Sequence, residues 1–115
     1  MTKQLAIALL LLFSLSVFAD DEPVTITGEV VDLHCYTTRG AHGDEHSGCS
    51  NACLSRGVPA GLLTADGTLY LLLDAKPVAV KDKVAGMAGK TVKATGKLVE
   101  RNGLKALQLA SVEVP

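Results

Sequence analysis

Asp66-Gly67 and Asn102-Gly103 each stand between two apolar stretches, and these dipeptides constrain the fold more than any other feature of the chain. Glycine enters the left-handed backbone region without steric cost, so Asp-Gly or Asn-Gly between apolar runs is a strong hairpin signal. The first turn joins residues 61–64 to 68–73, and the second joins residues 90–101 to 104–114. In the second pair Val92, Ala94, Gly96 and Leu98 alternate with polar or charged neighbours, as a half-buried strand requires. Leu107, Leu109 and Val112 are candidate core residues of its partner. Residues 24–33 (VTITGEVVDL) are rich in β-branched side chains and predict another strand, with a bulge or bend at Gly28.

That makes about five strands, with no strand–helix–strand alternation and no internal repeat. Residues 47–56 predict the one short helix. Ser47 offers a cap, Ala52 and Leu54 favour helix, and Gly57 stops it with Pro59 just beyond. Residues 74–89 are broken by Pro77, and 80–87 read as a short helix or a loop. Closing a small sheet removes its exposed edges. The expected fold class is therefore mainly β: a small five-stranded OB-like antiparallel barrel with one short helix carrying the Cys/His site. An open sheet with one face covered by the site loop is the alternative.

Residues 1–19 (MTKQLAIALLLLFSLSVFA) have a positive start at Lys3, an apolar run over 5–13 and a cleavage site at Val17-Phe18-Ala19. This is the layout of a secretory signal peptide. The run is short for a membrane span and acids follow at Asp20, so no span is expected after cleavage. The expected mature chain, 20–115, is one domain of about 96 residues, periplasmic or secreted. Losing Lys3 leaves ten Lys and Arg against twelve Asp and Glu, a formal net charge of −2. Without a basic footprint and without Trp, the chain lacks what a nucleic-acid partner would need.

All three cysteines and all three histidines fall within residues 34–59 (HCYTTRGAHGDEHSGCSNACLSRGVP). His46, Cys49 and Cys53 stand at i, i+3 and i+7, one stripe of the expected helix. Cys35, at the end of the first strand, could close a four-ligand set with them. Cys35, His46, Cys49 and Cys53 form a Cys3His set that suits tetrahedral zinc, and its thiolates also suit Cu(I) or iron. His42, in a Gly-rich loop, is a reserve ligand. His34 is another, although strand periodicity turns it to the face opposite Cys35. Two other readings use the same sulfurs. One disulfide, easier from Cys35 to Cys49 or Cys53 than within one helical turn, would staple an OB-type interaction domain. A thiol–disulfide redox protein would use Cys49 and Cys53, with Cys35 as third partner. An enzyme is the least favoured, because no substrate pocket or oxyanion device is visible beside a nucleophilic thiol.

Glu29 to Asp32 after Gly28, then Cys35-Tyr36, H-x2-C-x3-C from His46 to Cys53, and Arg56-Gly57-Val58-Pro59 form a longer pattern. It resembles an uncharacterised family of small exported bacterial proteins with an OB-like fold, over about residues 28–73. The resemblance implies a fold neighbourhood and a site, and no activity. Residues 89–97 look like a strand common in exported OB-fold proteins. Small periplasmic OB-fold copper proteins share the scaffold type, but their Met- and Trp-containing site has no counterpart in a chain with no Trp and a lone Met87 beyond the signal segment. The expectation is an exported metal-binding protein for zinc or copper handling, or a metal-stabilised binding module. Its partners would be a metal ion and, beyond that, another exported protein.

Overall fold

The computed structural model describes residues 22–115. The signal segment 1–19 and the cleavage point expected before Asp20 lie outside the described residues. Five strands, β1 (Val24–Asp32), β2 (Ala60–Leu63), β3 (Leu69–Leu73), β4 (Thr91–Arg101) and β5 (Leu104–Glu113), close into a barrel in the order β1-β2-β3-β5-β4. Neighbours run antiparallel except β3 and β5, which are parallel. Five is odd, so strand directions cannot alternate all the way round a closed ring, and one pair has to run parallel. The fold is the small OB-like barrel that the turn and strand pattern predicts.

Val30, Leu62, Leu72, Val92, Ala94, Leu107 and Leu109 fill the interior, with Val112 packed partly buried against them. Leu98, expected inside, is 40% exposed. The pairing of β1 with β4 ends at Gly96, so Leu98 lies on a length of β4 that has only β5 beside it. No register shift marks a bulge at Gly28, where β1 is about to change partner from β4 to β2 at Glu29; the shift lies at Thr95/Gly96 on β4. A Cβ at Gly96 would drive into the carbonyl oxygen of Gln108, so the kinked crossing needs glycine there. Asn102 and Gly103 both have positive φ, 52° and 88°, the pair of values a tight type I′ hairpin demands.

Residues 74–90 form turns rather than a helix, but they are not idle. Val80, Val84 and Ala88 are buried in the core, and the stretch runs beside β1 through Val30 N–H to Lys90 O (3.1 Å) and Gly89 N–H to Val30 O (2.8 Å). The long connection from β1 to β2 holds two helices where one was expected, α1 (Leu33–Arg39) and α2 (Ser47–Ser55), with a 3-10 turn at Asp44–His46 between them. Among the described residues no helix is long and apolar enough to cross a membrane.

Candidate metal centre

Strand pairing brings the two ends of that connection together. Asp32, the last residue of β1, lies opposite Ala60, the first of β2, and Leu33 N–H donates to Pro59 O at 2.9 Å. Asp32 starts α1: its Oδ1 accepts from the backbone N–H groups of His34 (2.9 Å) and Cys35 (3.1 Å), an N-cap that satisfies two otherwise unpaired donors. Gly40, at φ 71°, ends the helix by donating to Cys35 and Tyr36 carbonyls. Cys35 is therefore a helical residue and not a strand-end one. The capping carboxylate pulls the chain out of the strand as soon as β1 ends, so the strand alternation that set His34 against Cys35 does not apply.

Cys35 is turned inward, 6% exposed, while Cys53 on α2 is half-buried and faces the same junction. Asp32 is 0% exposed. One carboxylate oxygen of Asp32 and the sulfurs of Cys35 and Cys53 all lie within 4.8 Å of one another. The cysteines are free thiols. Asp32 Oδ2 is buried and has no hydrogen-bond partner among the described residues. The two thiols lean toward the carboxylate, but sulfur is a weak donor and neither meets Oδ2 in hydrogen-bond geometry.

The charges around the cluster pull in opposed directions. Burial works against ionisation of Asp32, yet the backbone N–H groups of Cys35 and His34, with the Cys35 and Cys53 thiols close by, outweigh it and hold the carboxyl below its ordinary range. Burial raises the Cys53 thiol, and the charge of Asp32 raises it further; Arg56 works the other way. A guanidinium attends each sulfur. Arg39 Nη2 lies 3.1 Å from Cys35 Sγ, and Arg56 Nη2 lies 3.4 Å from Cys53 Sγ. Both arginines stand one turn after their cysteine, so the helices that present the sulfurs also present the cations.

Of the four ligands expected from sequence, Cys35 and Cys53 are brought together. Cys49 is exposed, one turn before Cys53, and His46 is exposed at the N-cap of α2; neither belongs to the three-residue cluster. The helical stripe does not extend to His46 because the 3-10 turn ends there, and α2 begins at Ser47. Of the reserve ligands, His34 is exposed on α1. His42 sits elsewhere, with Nδ1 3.0 Å from Glu29 Oε1 and its ring edge-on to Tyr36, in an open cleft of about 430 Å³ lined also by Thr27, Thr64 and Thr91. Asp32 escaped the sequence reading because it looked like one more polar strand position. The available signal was an Asp eight residues before Gly40, the cap and stop of a short helix. Compared with family models, curated proteins and solved structures, the chain has no match.

Proposed function

We propose that Asp32, Cys35 and Cys53 hold a transition-metal ion in an exported protein that handles or is stabilised by that metal. The observation that carries this reading is Asp32 Oδ2, a fully buried carboxylate oxygen without a partner, beside two thiols. Leaving such an atom unpaired costs about 1–3 kcal/mol, and more when it is charged. A cation bound by both sulfurs and this oxygen removes the cost. One hard oxygen and two soft sulfurs suit Zn²⁺ better than Cu(I), which favours sulfur throughout. Three protein donors leave a fourth position for water or another ligand. Binding displaces the thiol protons, and Arg39 and Arg56 offset the negative charge of the resulting thiolates.

Titration of reduced protein with Zn²⁺, and with Co²⁺ followed by visible absorption, tests the assignment. One ion per chain is expected, with an intense tetrahedral Co²⁺ spectrum carrying sulfur charge-transfer bands. Loss of an outer-shell partner alone costs about 10–100-fold in affinity, so Asp32→Asn, Cys35→Ser and Cys53→Ser should each cost at least about 100-fold. His42→Ala should leave affinity unchanged. Zinc that washes off the reduced wild-type protein on desalting would sink the proposal.

A further inference from the structure

Cys35 and Cys53 are also placed to react with each other. Their sulfurs lie within 4.8 Å, they come from different helices, and both are thiols. A disulfide needs about 2.05 Å between sulfurs, and rotation of two side chains can close the remainder; Cys49 and Cys53 are instead held one turn apart on a single helix. An arginine guanidinium lies beside each sulfur, 3.1 Å from Cys35 Sγ and 3.4 Å from Cys53 Sγ, close enough to attend negative charge as it forms there. Exposure sets the order of events. Cys53 is reachable from outside, and Cys35, 6% exposed, can reach only Cys53.

We infer that Cys35 and Cys53 form a reversible dithiol–disulfide couple that exchanges with small-molecule disulfides, and that its oxidation expels the bound metal. The second half rests on the metal reading above; the couple itself does not. In the first step the Cys53 thiolate attacks one sulfur of an external disulfide. A mixed disulfide forms on Cys53, the external S–S bond breaks, and one thiolate leaves. In the second step the Cys35 thiolate attacks Cys53 Sγ, forms the Cys35–Cys53 bond and expels the second thiolate. Two electrons pass from the two cysteines to the external disulfide, and the two thiol protons end on the two released thiols. A bound metal then loses both sulfur donors and keeps only the Asp32 carboxylate, too few ligands to hold it.

The experiment equilibrates metal-free protein in glutathione/glutathione disulfide buffers and reads intact mass and the sites of alkylation. Wild type should lose two hydrogens, yield a linked Cys35–Cys53 peptide and leave Cys49 open to alkylation. Cys49→Ser should behave alike, and Cys35→Ser should stop at a glutathione adduct on Cys53. Zinc-loaded protein should release one Zn²⁺ per chain to a chromogenic chelator as the bond forms. A linkage through Cys49, or no Cys35–Cys53 linkage at any ratio of glutathione to glutathione disulfide, overturns the couple. If zinc binds but no Cys35–Cys53 bond forms, the couple fails and the metal site stands. If the bond forms in a protein that never held zinc, the metal reading fails and only the exchange chemistry remains.

Discussion

Asp32 carries two duties on two oxygens. Oδ1 caps α1, and Oδ2 is buried without a partner. Side-chain substitution separates them. Replacing an Asp cap by Ala costs about 1 kcal/mol, while Asn caps nearly as well as Asp. In reduced, metal-free protein, Asp32→Ala should therefore unfold in urea at a lower concentration than Asp32→Asn, by the equivalent of about 1 kcal/mol. Equal midpoints in the two variants would show that the Oδ1 cap contributes nothing. Zinc should raise the wild-type midpoint and leave that of Asp32→Asn nearly unchanged, because only the wild-type carboxylate can ligate.

The elements divide by how much of their cause is local. The β4–β5 hairpin was legible because Asn102-Gly103 writes its own turn, and α2 because Ala52 and Leu54 favour helix and Gly57 with Pro59 stops it, although its N-cap is His46 and not the expected Ser47. Helix α1 was not legible: Leu33–Arg39 reads LHCYTTR, with two β-branched threonines and no strong helix-forming run, and its cap belongs to the preceding strand. The irregularity at Gly96 was hidden for a related reason, since the need for glycine comes from Gln108 on the neighbouring strand. Two substitutions measure these causes. Gly103→Val forces a β-branched residue to φ 88° and should cost about 1–2 kcal/mol or more. Gly96→Ala, aimed at a backbone carbonyl inside the barrel wall, should cost more than Gly103→Val and lower the thermal midpoint further. An unchanged midpoint in either protein would remove the corresponding account of the hairpin or the crossing.

At the scale of the whole molecule, the candidate site is a product of barrel closure. Residues 21 positions apart, Asp32 and Cys53, meet only because β1 pairs with β2 and folds the connection back on itself. Spacing within one helix could not reveal that: of the expected set Cys35 and Cys53 meet here and Asp32 of β1 joins them, while His46 and Cys49 stand outside the cluster. The fold also favours the ionised forms of three separate carboxyls. Thr64 and Thr68 donate to Asp66, holding it below the ordinary value of 3.8. The Lys76 N–H (3.0 Å) does the same for Asp74 against some burial, helped by Lys83. Asp32 is lowered against a larger burial effect by the donors at the start of α1 and the two thiols. Each group binds a proton more weakly folded than unfolded, so the unfolded chain takes up more protons as pH falls. Their stabilising contribution is complete above the unfolded value and is lost as pH drops through the lower folded values. The urea midpoint of metal-free protein should thus be insensitive to these groups above about pH 5 and fall steadily below about pH 4. Asp66→Asn and Asp74→Asn together preserve much of the local hydrogen bonding but cannot titrate. The double variant should show a shallower fall between pH 4 and pH 2, judged by the same urea midpoints. If its slope matches wild type, the acid sensitivity arises elsewhere and the two turn carboxylates contribute nothing to it. Adding Asp32→Asn to that pair should flatten the curve once more, because the third proton-linked group then disappears from the folded state.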